Sequence, residues 1–151
     1  MPLVPDAMIA GLVVVRAGES LVLLDPAAEG VARRALATLD PTRPCGEIIC
    51  TNAPAELLCS GERSVAVCER VLNAAAVLLA FEQVGGATRF LEISRDYSLE
   101  RKAFGRQIGS FQALKHKMAD IYTANELARV HAYYGAWALS SDAPELPVAA
   151  A

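Results

Sequence analysis

The stretch YSLERKAFGRQIGSFQALKHKMAD, Tyr97–Asp120, decides how the rest of the chain is read. Its middle carries Phe104-Gly105 and Gly109, which break the chain into a short connection. After that break, apolar residues recur at Phe111, Leu114, Met118, Ile121, Tyr122 and Leu127, a spacing that predicts a second helix from about Ser110 to Leu139. Before it, Val65, Cys68, Val71, Leu72, Ala75, Leu78 and Leu79 follow spacings of three and four, predicting a first helix from about Ser60 to Leu99. Ser60 is the expected N-cap, with Glu62 in the first turn where negative charge suits the helix dipole. Gly85-Gly86 inside this helix costs about 1 kcal/mol per residue relative to alanine, so close packing against a neighbour is the expected reason for the pair. Two long antiparallel helices joined by a short loop form an αα-hairpin that cannot bury both faces by itself, as if taken from an incomplete four-helix bundle.

Further toward the N-terminus the period changes. The runs MIAGLVVV, SLVLLD, GVARRALATL and CGEIICT are short and rich in Val, Leu and Ile. Turn signals at Gly18-Glu19-Ser20, Pro26, Gly30, Asp40-Pro41 and Asn52-Ala53-Pro54 separate them, which predicts about four strands of a partial antiparallel sheet. The expected fold class is therefore α+β, with a β part over residues 1–59, two helices over 60–140, and a Pro-broken linker or helix start over 141–151. A sheet of four short strands leaves edges that need further strands or a covering layer.

Composition narrows the function classes. Apolar residues make up 54% of the 151, against roughly 45–50% in ordinary soluble domains with glycine included, so a partner surface is expected. The longest apolar stretch, Val71–Phe81, is already broken by Asn73 and falls far short of the roughly 18 to 20 residues of a span, so no membrane segment is expected. The start Met1-Pro-Leu-Val-Pro-Asp lacks a basic, apolar secretion signal, which predicts a cytoplasmic protein. Cys45, Cys50, Cys59 and Cys68 form no CxxC pair and have no His nearby, so neither zinc nor any other metal site is expected. A net charge of −3 gives no reason to expect nucleic-acid binding, yet residues 101–117 hold Arg101, Lys102, Arg106, Lys115 and Lys117 without an Asp or Glu.

That basic segment, with Tyr97, Arg101-x-x-Phe104-Gly105, Ile108, Gln112 and Ala119-Asp120 in order, resembles the acyl-CoA dehydrogenase family pattern. Val4-Pro5-Asp6-Ala7, the strand pairs and the Leu39–Arg43 turn resemble the closing half of that family's middle β-domain, so the likeness covers nearly the whole chain. The resemblance implies a C-terminal part of the middle β-domain followed by the first two helices of the C-terminal domain, in a chain shorter than the family's full length. It implies FAD as cofactor, usually the flavin of a neighbouring subunit, with Arg101 on the pyrophosphate beside the N-terminus of the second helix. By the same resemblance Phe104 contacts the dinucleotide with its ring, Ile108 packs beside it, and Gln112 hydrogen-bonds its polar part; Ala103 replaces a hydroxyl residue of some relatives.

The chemistry implied is α,β-dehydrogenation of acyl-CoA thioesters, with electrons passing to an electron-transfer flavoprotein where the enzyme is active. No catalytic residue is expected in this chain: the usual glutamate lies beyond Ala151, and the alternative position on the first helix is Ala75. Positions that touch substrate in relatives are Asn73 and Ala76, which puts acyl-CoA binding in doubt, and Glu82 is a poor substitute base two turns further along. Three readings follow: a shortened dehydrogenase not active alone, a non-catalytic partner lending FAD contacts to a complete subunit, or a helical-hairpin oligomerisation module without flavin. The expected partners are a second copy of the chain or a complete dehydrogenase subunit.

Overall fold

The computed structural model describes residue 1 and residues 3–151, and the chain forms two compact units, Met1–Cys68 and Glu69–Ala151. The fold is α+β with antiparallel sheets, as expected, but the described residues of the first unit form six strands where the sequence pattern predicts about four. These are β1 (Val4–Pro5), β2 (Val13–Ala17), β3 (Ser20–Leu24), β4 (Val31–Leu36), β5 (Cys45–Cys50) and β6 (Ala55–Ser60). They form two three-stranded sheets, ordered β1-β5-β4 and β2-β3-β6. β6 escapes a pattern search because it pairs with β3 across a register shift at Leu21/Val22, and its side chains are mostly exposed. Met8–Ala10, read as the head of a strand, is instead a turn in which the N–H groups of Ile9 and Ala10 both donate to the Asp6 carbonyl.

Ala7, Leu24 and Ile48 form the core of this unit, with Val4, Val13, Val15, Val31 and Ala53 packed around them. Gly46 permits that closeness, since a Cβ there would lie 2.8 Å from the Ala7 methyl and 3.0 Å from the Arg34 carbonyl oxygen.

Helix α1 runs over Glu62–Glu100, 39 residues or about 58 Å. Ser60 is not its cap but the last residue of β6, paired with Ser20. The turn into the helix is made by Gly61 at φ +63, and Ser64, fully buried, places its hydroxyl 2.6 Å from the Glu19 carbonyl oxygen and 2.8 Å from that of Gly61.

In the second unit, the part of α1 from Glu69 onward is followed by a two-stranded hairpin, β7 (Lys102–Ala103) and β8 (Arg106–Gln107). Next come a 3-10 turn at Ile108–Ser110, α2 (Gln112–Ser140) and the short α3 (Leu146–Ala149). α1 and α2 are antiparallel, because Val77 lies against Gly135, Phe81 against Tyr133 and Thr88 against Asn125. The stripe that α1 buries is Val77 and Val84, whereas Val71, Leu72, Leu78 and Leu79, the face picked by periodicity, are exposed. The helix is apolar over more than one face, so its spacing alone does not say which face meets α2. On α2 the buried residues are Asn125, Ala132, Gly135 and Ala138, small side chains that let the two backbones approach.

The close contact therefore sits at Gly135, whose absent Cβ would be 3.1 Å from Val77 Cγ2, while Gly85 and Gly86 have open space around them. The polar centre of the interface is Thr88. Its hydroxyl donates to the Val84 carbonyl at 2.7 Å and accepts from Asn125 Nδ2 at 2.7 Å and from the Arg129 guanidinium at 3.0 Å.

α2 ends with Asp142 at φ +53 and the Ala143 N–H bonded back to the Ala138 carbonyl, a Schellman-type stop. Asp142 pairs with Arg70 on α1. α3 then returns so that Leu146 buries against Val77 and Ala138. One expectation on membranes needs correcting: α1 is long and apolar enough, by length and composition, to cross one, with an 18-residue window of mean hydropathy 1.7. Counting only uninterrupted apolar runs misses this, because Asn73 and Glu82 dilute the stretch without ending it.

Candidate functional site

The site is the junction between α1 and α2. The Arg101 N–H donates to the Tyr97 carbonyl at 2.9 Å, continuing the last turn of α1, and the Ile108 N–H donates to the Arg101 carbonyl at 2.8 Å, closing the base of the hairpin. Between them Lys102 pairs with Gln107 and Ala103 with Arg106, leaving Phe104-Gly105 as a two-residue loop. Both loop residues have positive φ, 53° and 77°, as the primed turn of a tight hairpin demands. Glycine adopts that conformation freely, but in phenylalanine it costs about 1–2 kcal/mol. The Phe104 ring is 96% exposed and so offsets little of that cost by burial. A strained, exposed aromatic residue points to a role outside the chain's own stability.

The hairpin is seated firmly at its base. A Cβ on Gly109 would stand 2.8 Å from the Ser98 hydroxyl and 2.9 Å from the Ser98 carbonyl oxygen. Ser98 is buried, and its hydroxyl donates to the Arg95 carbonyl at 2.7 Å. α2 begins at Gln112, two residues later than the apolar spacing suggests, because Ile108–Ser110 form a 3-10 turn first. Its N-cap, Phe111, is extended and offers no side-chain cap, and the first turn contains no acid. The leading N–H groups of α2 are thus open to an outside acceptor.

Of the four residues expected to touch a cofactor, the structure joins Arg101 and Ile108 by a backbone bond. It sets Phe104 at the hairpin tip and makes Gln112 the first residue of α2. Arg101 and Gln112 are exposed and Ile108 is half-buried. Among the described residues no side-chain partner lies within hydrogen-bonding reach of the Arg101 guanidinium, nor of Lys102, Lys115 or Lys117. By contrast Arg34, Arg89, Arg95 and Arg129 are each paired with a carboxylate. Arg106 differs from Arg101: its guanidinium lies 4.0 Å from the centre of the Phe111 ring. A free guanidinium, open helix N–H groups and an exposed ring together suit a ligand that is both anionic and aromatic, which is the chemistry of a flavin dinucleotide.

On α1, Asn73 and Ala76 are half-buried, and Ala75 and Glu82 are exposed. A methyl group at position 75 accepts no proton. Two features had no sequence signal: the Thr88–Asn125–Arg129 network and the Arg106–Phe111 stack, each made by residues that periodicity treats as ordinary polar or apolar positions. Two open clefts flank the helix pair. One, of about 360 Å³, is lined by Ala76, Val84, Ala87, His131 and Gly135; the other, of about 490 Å³, by Leu91, Arg95, Lys115, Met118, Tyr122 and Arg129.

Residues 65–151 match the family described as Acyl-CoA dehydrogenase, C-terminal domain. The chain belongs to the acyl-CoA dehydrogenase family. Over 94 residues it is 43% identical to acyl-CoA dehydrogenase IpdE2 of Mycobacterium tuberculosis, a match covering 62% of this chain and 27% of that protein. It is similar to the solved Tcur3481-Tcur3483 steroid ACAD G363A variant, with a TM-score of 0.83, 29% identity, and coverage of 98% of this chain and 41% of that one. The ChsE4-ChsE5 complex from Mycobacterium tuberculosis shares the fold, with a TM-score of 0.81 at 24% identity over 99% of this chain and 42% of that one. The chain thus spans well under half the length of the relatives it matches.

Proposed function

We propose that this chain supplies part of the flavin-binding apparatus of an FAD-dependent acyl-CoA dehydrogenase, in an assembly with a second copy or a complete dehydrogenase subunit. The observation that carries this reading is the α1–α2 junction, where the Arg101 guanidinium has no side-chain partner among the described residues and Phe104 is held exposed in a strained turn. When bound, FAD supplies hydride acceptance in the α,β-dehydrogenation of an acyl-CoA thioester. The residues of this chain bind and orient. Arg101 pairs with the pyrophosphate, the leading N–H groups of α2 add hydrogen bonds to the same anion, Phe104 covers the dinucleotide, Ile108 packs beside it and Gln112 bonds its polar part. Proton abstraction from the substrate falls to another segment, since position 75 is alanine. Support for an assembly comes from the exposed apolar faces of α1 and α2, among them Leu72, Leu78, Val130 and Trp137, and from the likeness to a solved heteromeric complex.

The test is to purify the chain with excess FAD, alone and together with a complete acyl-CoA dehydrogenase subunit, and to record the flavin spectrum after free cofactor is removed. Retained flavin, weakened roughly tenfold or more by Arg101→Ala, is the expected result. Colourless protein under both conditions, or flavin capture indifferent to Arg101→Ala, would refute the proposal.

A further inference from the structure

The basic segment does not behave as five equivalent charges. Among the described residues the Arg101 guanidinium has no side-chain partner, whereas that of Arg106 is committed to the face of Phe111 at 4.0 Å. Phe111 is the N-cap of α2, and its ring meets that of Phe104 edge-on, with centroids 6.3 Å apart and planes at 85°. Cation, ring and second ring therefore form a continuous stack from β8 through the start of α2 to the hairpin tip. Phe104 needs such support, because its backbone sits at φ +53 and its own ring is almost wholly exposed. Cation–π and edge-to-face contacts have the geometry and strength to select one orientation of an exposed ring from several.

The geometry points to Arg106 and Phe111 as positioning residues that hold the Phe104 ring in one orientation at the hairpin tip. That Phe104 meets a flavin nucleotide rests on the proposed function; that Arg106 and Phe111 hold its ring does not. The division of labour is specific. Arg101 is left to bind, and Arg106 acts only through the ring it covers.

The experiment places 4-fluorophenylalanine at position 104 of the full chain and records its fluorine resonance, with far-UV circular dichroism confirming that the helices are intact. In the parent protein the resonance is displaced from its value in the denatured chain by the neighbouring Phe111 ring. Arg106→Ala and Phe111→Leu should return it toward the denatured value, while Arg106→Lys, which keeps a cation, and Phe111→Tyr, which keeps a ring, should restore much of the displacement. An unchanged resonance in Arg106→Ala overturns the inference.

FAD titration forms the second arm, with Arg106→Ala expected to weaken binding roughly three- to tenfold and Arg106→Lys to recover part of the loss. If Arg106→Ala weakens FAD as strongly as Arg101→Ala without moving the fluorine signal, Arg106 is a direct ligand and the inference falls. If the fluorine signal responds but neither arginine affects FAD, the positioning role stands and the cofactor reading falls.

Discussion

Replacing Gly85 and Gly86 together by alanine should stabilise the protein. Both lie well inside α1, both are exposed, and a Cβ at either would meet nothing within 4 Å. A helix-interior glycine costs about 1 kcal/mol relative to alanine, mostly through the freedom it must give up, so the double replacement should add about 1–2 kcal/mol to the unfolding free energy. Gly135→Ala makes the matched control. It gains the same propensity on α2, but its Cβ would be 3.1 Å from Val77 Cγ2 and 3.2 Å from the Ala149 carbonyl oxygen. The interface must then open, and a net loss of roughly 1–3 kcal/mol is expected, as for other overpacked sites. Urea unfolding followed by circular dichroism at several protein concentrations measures both. A loss of 1 kcal/mol or more for the Gly85/Gly86 pair would refute the argument. It would show that another surface rests on those glycines, and its dependence on protein concentration would tell whether that surface is a second copy.

Thr88→Val keeps the shape of the helix interface but removes the oxygen that accepts from Asn125 and Arg129, leaving a buried amide short of a partner. A loss of about 1–3 kcal/mol in the same denaturation assay is expected, and a neutral result would show that water or another group replaces the hydroxyl. The Asp40 carboxyl sits below the usual carboxylate range because the Thr42 hydroxyl and N–H both donate to it, at 2.6 and 2.9 Å. A lowered carboxyl contributes to the loop above its ordinary titration range and loses that contribution as pH falls through the lowered one. Thr42→Ala, which keeps the backbone donor, should therefore move the Asp40 titration part of the way back up in a carboxyl-resolved NMR experiment; no movement would show that the hydroxyl does not matter. Gly30→Ala should destabilise the β unit measurably in urea, since Gly30 has φ +81 and a Cβ there would fall 2.3 Å from the Thr51 carbonyl oxygen.

The sequence made the helical hairpin and the antiparallel sheets legible because both depend on period, which survives without knowledge of contacts. What period cannot supply is the choice of face. α1 offers Val71, Leu72, Leu78 and Leu79 on one side and Val77 and Val84 on another, and only the docking of α2 decides that the second is buried. The same limit explains the glycines: Gly85-Gly86 is conspicuous in the sequence, but close approach happens at the solitary Gly135, whose neighbours Val77 and Ala149 are distant along the chain. At the candidate site, Arg101, Phe104, Ile108 and Gln112 are named by the resemblance to the acyl-CoA dehydrogenase pattern, and neither period nor spacing singles them out. The positive φ of Phe104 was invisible, since aromatic residues seldom take it and no local preference announces it. The later start of α2 likewise comes from a 3-10 turn that apolar spacing does not register.

The hydroxyl of Thr88 acts as a detent between the two helices. It has one hydrogen to give, to Val84, and it receives from two donors on α2 one turn apart, Asn125 and Arg129. Sliding α2 along α1 by a single helical turn, about 5.4 Å, would still match alanine to valine over much of the interface, because small apolar residues are nearly interchangeable there. Sliding toward Val84 would also leave the Asn125 amide facing a hydrocarbon side chain, with its hydrogen bond to Thr88 lost. The hairpin therefore carries its own alignment mark, and the position of the α1–α2 junction relative to the interface is set by one threonine.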